Sequence, residues 1–117
     1  MITPVFRIFD LPKTKEFYVD WLGFTIDWEH KFGDNFPVYM RVSKGEIVLH
    51  LSEHHGDCCP GAKVIIDYSG LHLYCQELTA KDYRYYKPAV EETPWGSWTM
   101  EVMDPFCNKI VFSEAKV

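Results

Sequence analysis

Short runs of alternating apolar and polar positions recur along this chain, and two stretches switch to helical spacing. Residues Thr3 to Phe9 alternate weakly as a strand, and Asp10-Leu11-Pro12 predicts a helix start with Asp10 as N-cap and Pro12 in the first turn. From Lys13 to Leu22 the apolar residues Phe17, Tyr18, Trp21 and Leu22 form a one-sided stripe, which Gly23 stops. Phe24 to His30, Pro37 to Val42 and Glu46 to Ser52 then read as strands, separated by turns at Gly33-Asp34-Asn35 and Lys44-Gly45. The polar segment Glu53 to Gly61, with two Gly and a Pro, is the one clear connector. Beyond it, Lys63 to Tyr68 reads as a strand and Ser69-Gly70 as a break. Leu71 to Tyr85 reads as a helix on Leu71, Tyr74, Leu78 and Tyr85, and Tyr86 to Val90 as a short strand. The stretch from Pro94 to Phe112 closes the pattern as a hairpin. In it Trp98, Met100 and Val102 alternate with Ser97, Thr99 and Glu101, Asp104 and Pro105 break the run, and Ile110 to Phe112 resumes it.

Each half thus reads βαβββ, which predicts an α+β fold of two modules in a single domain spanning 1–117, with halves at about 1–56 and 62–117. One helix covers one face of each small sheet and leaves the other open. Open faces of this kind predict a ligand cavity lined by alternate strand residues. The Pro94-Trp95-Gly96 corner would hold a flat indole where the backbone bends sharply.

Composition narrows the function classes. A net charge of -5 argues against phosphate-backbone or anionic-membrane partners and favours attraction of cations. Nucleic acid and membrane partners are therefore not expected, and the absence of a long apolar run or a basic leader predicts a cytoplasmic protein. The 16% aromatic share, with four Trp and seven Tyr, is high enough to furnish a ligand cleft as well as a core. Cys58, Cys59, Cys75 and Cys107 show no CxxC spacing, and neighbouring cysteines rarely pair without strain, so free thiols are expected.

The segments DLPKTKEFYVDWLGF, LHLSEHHGD, TPWG and DPFCNKIVF resemble the vicinal oxygen chelate superfamily of glyoxalase I, extradiol dioxygenases, fosfomycin-modifying enzymes and bleomycin resistance proteins. The resemblance covers essentially the whole chain. It implies that any metal ligands would fall on Thr3, His50, about Lys63 and Val111, of which only His50 is a ligand type. No metal or other cofactor is therefore expected there. A local cluster of His50, His54, His55, Asp57 and Cys58 is the sharper alternative to a solvated polar loop.

Within the superfamily the chain looks most like the bleomycin resistance branch, which sequesters a cationic glycopeptide in grooves formed by a dimer. That likeness implies a homodimer and a cationic, aromatic, bleomycin-like small-molecule ligand. Trp95 and Gly96 match the family's stacking corner, Phe32 or Phe36 its partner aromatic, and Pro4 the proline that favours exchange of the first strand between subunits. Cys107 stands where the family usually has glycine. Tyr39 and Arg41 on the third strand, and His50 opposite Leu49 and Leu51, would line the cavity, whereas Phe17, Trp21 and Phe24 belong to the core. No nucleophile with its base stands in a recognised motif. Two alternatives remain: a metal-dependent lyase, thiol transferase or dioxygenase, and an orphan metabolite-binding member of the same superfamily.

Overall fold

Asp10 starts the first helix as its position suggests: its backbone is extended and its Oδ1 accepts from the Lys13 N–H at 2.9 Å. In a computed structural model that describes residues 1–116, the elements are β1 (Val5–Arg7), α1 (Leu11–Lys15), a π-helical segment (Glu16–Trp21), β2 (Thr25–Lys31), β3 (Val38–Lys44), β4 (Ile47–Ser52), β5 (Lys63–Asp67), α2 (Leu71–Ala80), β6 (Glu91–Glu92), β7 (Ser97–Met103) and β8 (Lys109–Ala115). Gly23, at φ +87°, ends the helical stretch, and the Phe24 N–H reaches back to the Tyr18 carbonyl at 2.8 Å.

The chain divides into two compact units, Met1–Ala62 with the turn Asp104–Asn108, and Lys63–Met103 with the chain from Lys109 onward. Each unit carries a four-stranded mixed sheet of the same wiring, in the orders β1-β4-β3-β2 and β5-β8-β7-β6. In both, the unit's first strand pairs parallel to its last, and the remaining pairs are antiparallel. This is the α+β, twice-βαβββ architecture that the periodicity predicts.

One face of each sheet is buried. In the first unit Phe6, Val38, Met40, Val42, Leu49 and Leu51 are buried together with Phe17, Tyr18, Trp21 and Leu22 of the helical stretch. In the second, Met100, Val102, Ile110 and Phe112 are buried with Leu71, Tyr74 and Leu78 of α2, and the Tyr74 and Phe112 rings meet edge-on at 5.3 Å. The opposite faces hold the polar and exposed aromatic side chains, as strict strand alternation requires.

Three local readings are corrected. The second helix stops at Ala80 rather than Tyr85: Asp82 turns left-handed at φ 51°, and Tyr85 is left exposed. The residues from Tyr86 to Val90 form no strand, and the short strand of that module is β6, which pairs with Thr99 and Trp98 of β7. Thr3 lies ahead of β1, outside the sheet.

Candidate ligand-binding site

The open face of the first sheet is built by register. Val5, His50 and Arg41 stand side by side across β1, β4 and β3, and Trp28 of β2 pairs with Arg41. Trp28 reaches this face because Asp27 is an extra residue in β2: Ile26 pairs with Val42 of the buried face, and Trp28 then pairs with Arg41. A bulge of one residue flips everything beyond it to the other face. The bulged Asp27 accepts from Ser43 Oγ at 3.0 Å and lies 3.4 Å from Arg41 Nε.

Trp28 stacks on Tyr39 at 6.0 Å between ring centres, and the His50 ring stands edge-on to both, at 5.5 Å and 5.3 Å. Tyr39 Oη and His50 Nδ1 are 2.7 Å apart. Burial, then the charges of Asp57 and Cys58, hold the Tyr39 phenol above its ordinary value. The phenol and the imidazole thus share one hydrogen bond, whose direction is set by the His50 tautomer. Trp28, His30, Phe32, Tyr39, His54 and Asp57 line a hollow of about 380 Å³ on this face. Phe32 stands edge-on to both His30 and His54, and the Nε2 of His54 is buried with no hydrogen-bond partner among the described residues. An unsatisfied buried nitrogen beside an aromatic hollow is a place for a ligand's polar atom.

The second unit carries a larger hollow of about 580 Å³ on the open face of its own sheet. Ile65, Thr99, Glu101, Val111 and Ser113 form its floor, and Tyr86, Pro94 and Trp95 its edge. Trp95 is 80% exposed, Ile65 71%. Gly96 turns left-handed at φ +92°, and a side chain there would meet open space, so the corner needs glycine for its backbone conformation and not for room. Thr93 and Ser97 brace the corner through their hydroxyls at 2.8 Å and the Thr93 N–H to the Ser97 carbonyl at 2.8 Å. Of the lining carboxylates, Glu101 pairs with Lys63 at 3.4 Å and Glu92 with Lys116 at 2.7 Å. Burial, then Glu101 and Glu91, raise the Tyr86 phenol.

The residues singled out from sequence fall into separate places. Trp95 lines the second unit's hollow with Gly96 beside it, while Phe32 and Tyr39 line the first unit's, with His50 hydrogen-bonded to Tyr39. Phe36 lines neither of these two hollows: it is exposed, with its ring against Gly33. The Pro4 carbonyl accepts from the His50 N–H at 3.0 Å, anchoring the start of β1 beside β4. Arg41 shares the open face and its ion pair with Asp27. Sequence reading passed over Trp28 and His30, hidden by the bulge, and Tyr86, assigned to a strand that does not form.

The chemistry of the donor set does not fit a metal of the superfamily's enzymes. Of the four carried-over positions, Thr3 lies outside the sheet, Lys63 is an ammonium paired with Glu101, Val111 is apolar, and His50 already holds Tyr39. A divalent ion needs three or four converging donors. In the connector, Asp57 Oδ2 accepts from Ser52 Oγ at 2.6 Å, and among the described residues no group of three or more His, Cys, Asp or Glu could hold an ion.

Comparison with known proteins follows this geometry. A family profile described as glyoxalase superfamily protein matches residues 1–117, and no curated protein sequence matches the chain. Among solved structures, a bleomycin resistance determinant encoded on the transposon Tn5 superposes with a TM-score of 0.77 at 19% identity, covering 100% of this chain and 98% of that one. A bleomycin-binding protein complexed with bleomycin superposes at 0.74 and 19% identity, covering 99% and 98%. An antibiotic binding protein from Streptomyces sp. CB03234 superposes at 0.68 and 21% identity, covering 99% and 97%. At such identities the likeness establishes the shared fold.

Proposed function

Since the chain belongs to the glyoxalase superfamily, we propose that it is a non-catalytic binding protein that sequesters a planar, cationic, bleomycin-type glycopeptide. The observation that carries this reading is Trp95, 80% exposed at the edge of a hollow of about 580 Å³ whose lining includes Glu91, Glu92 and Glu101. An indole held in water by a braced corner is a stacking platform: it offers area for burial and about 1 kcal/mol of ring–ring attraction beyond it. Trp95 and Gly96 form one contact surface, and Phe32, Phe36, Tyr39 and His50 a second. In this reading the protein is a cytoplasmic homodimer with two equivalent clefts at the subunit boundary, and Pro4 marks where the first strand crosses between subunits. The exposed Ile65 and Trp95 are then the side chains that ligand or partner copy covers.

Bleomycin titrated into the protein quenches tryptophan fluorescence with one ligand per chain, and Trp95→Ala weakens binding, read by calorimetry, about tenfold. Absence of quenching at high micromolar ligand overturns the drug assignment. Sedimentation at micromolar protein tests the dimer separately, and a monomer there contradicts it.

A further inference from the structure

Among the described residues, the buried side-chain polar atoms without a hydrogen-bond partner are Arg7 Nε, Arg41 Nε and His54 Nε2. All are nitrogens, and all belong to the first unit. Arginine Nε is a donor at every ordinary pH, and histidine Nε2 is one in its Nε2–H tautomer or its charged form. What this set lacks is an acceptor.

Register brings the three to one side of the first sheet. Arg7 of β1 pairs with Ser52 of β4, Ser52 with Tyr39 of β3, and Tyr39 with His30 of β2, in the row next to the one that holds His50, Arg41 and Trp28. Ser52 Oγ accepts from the His54 N–H at 3.0 Å and donates to Asp57 Oδ2 at 2.6 Å, which ties the connector to that row. Because β1 and β4 run parallel, Arg7, whose guanidinium lies over the Phe9 ring at 4.5 Å, leans toward the end of the sheet where His54 follows Ser52. Arg41 has Asp27 at 3.4 Å, whereas the half-buried Arg7 has no ion pair among the described residues. A partly desolvated charge without a counterion, beside an unsatisfied imidazole, is the polar half of an anion site. The hollow of about 380 Å³ lined by Trp28, Phe32, Tyr39 and His54 is the apolar half.

We propose that the open face of the first unit binds an aromatic carboxylate of one or two rings, its carboxylate held by Arg7 and His54 and its rings lodged among Trp28, Phe32 and Tyr39. The hollow is at the small end of the roughly 300–1,000 Å³ that ligand sites span, which limits the guest to that size. This rests on the binding reading only in taking the open face as a ligand surface, and it names a guest of the opposite charge. The net charge of -5 disfavours an acid at long range, so any preference for one comes from these local groups.

2-Naphthoate, 2-naphthalenemethanol and 2-naphthylmethylamine share their rings and differ in charge; each is titrated into the intact protein by calorimetry. The acid is expected to bind once per chain, about tenfold tighter than the alcohol, with the amine weakest. An alcohol or amine that matches the acid overturns the anion site, and acetate that matches naphthoate overturns the role of the rings. Arg7→Gln lowers affinity for the acid about tenfold and leaves the alcohol unchanged; an equal loss for both overturns the Arg7 contact. Asp57 lines the hollow at an exposed position, and Asp57→Asn keeps an acceptor for Ser52 while removing a like charge, so it tightens the acid about twofold or more. Unchanged or weaker acid binding in that variant overturns the placement. Acid binding without quenching by bleomycin removes the drug and upholds this site, and quenching without acid binding does the reverse.

Discussion

The two units share one wiring and differ in how far apart in the chain their stabilising partners lie. In the first, the helix is capped from within its own first turn, by Asp10 on the Lys13 N–H at 2.9 Å. In the second, Gly70 occupies the cap in a left-handed conformation with no side chain to offer. The donors are met instead by Glu114 of β8, which accepts from Gly70 at 2.8 Å and Leu71 at 3.1 Å. The open faces differ likewise. The first unit's carries rings in mutual contact and a phenol hydrogen-bonded to a histidine; the second's holds a wider hollow with Trp95 standing in solvent. Wiring settles which faces stay open, and side-chain partners settle how much of each face remains for a ligand.

The contrast breaks hardest at the turn Asp104–Asn108. Thr14, Ser52, Asp104 and Asn108, the buried polar residues among those described, all belong to the first unit. Asp104 accepts from Tyr18 Oη at 2.7 Å, from Asn108 Nδ2 at 2.9 Å, and from the N–H groups of Phe106 and Asn108 at 2.8 and 2.9 Å. Asp104→Ala leaves these donors buried without a partner and is expected to cost about 3 kcal/mol in urea unfolding, the largest single effect outside the apolar core. A loss below about 1 kcal/mol would show that water replaces the carboxylate and that the first unit does not rest on this turn. Cys107, within the same turn, holds a left-handed φ of 72°, a conformation that glycine adopts without the steric cost a side chain brings.

A smaller effect sharpens the capping contrast. Asp10→Ala removes a local cap and is expected to lower stability by about 1 kcal/mol, with Asp10→Asn restoring most of it, by thermal or urea unfolding. The smallest effect is at Glu114 and is best read against pH. The N–H groups of Gly70, then Leu71, hold its carboxyl below the usual value. A depressed carboxyl contributes stability above its unfolded value that is lost as pH falls through the folded one, so Glu114→Gln should flatten the acid limb of the stability profile. Asp104 acts with the opposite sign: burial raises its carboxyl above the ordinary value, so its contribution grows on acidification and is lost as pH rises through the folded value. If Glu114→Gln leaves the acid limb unchanged, the long-range cap is not what that titration reads.

Periodicity and local turn chemistry determined the two βαβββ modules, the Asp10 cap, the Gly23 stop and the burial of alternate residues in β3 and β7, because each of these is a relation between residues a few positions apart. The Pro94-Trp95-Gly96 corner was legible for the same reason: a positive φ calls for glycine, and an exposed indole follows from the bend. Tertiary structure alone decided the rest. The single-residue bulge at Asp27 moved Trp28 onto the open face of its sheet, the second helix ended before Tyr85, and β6 formed at Glu91–Glu92 where β7 offered it a partner. Glu114 became a helix cap from over forty residues away in the chain. Such features depend on pairings between segments distant in sequence, and no local spacing of residue types records them.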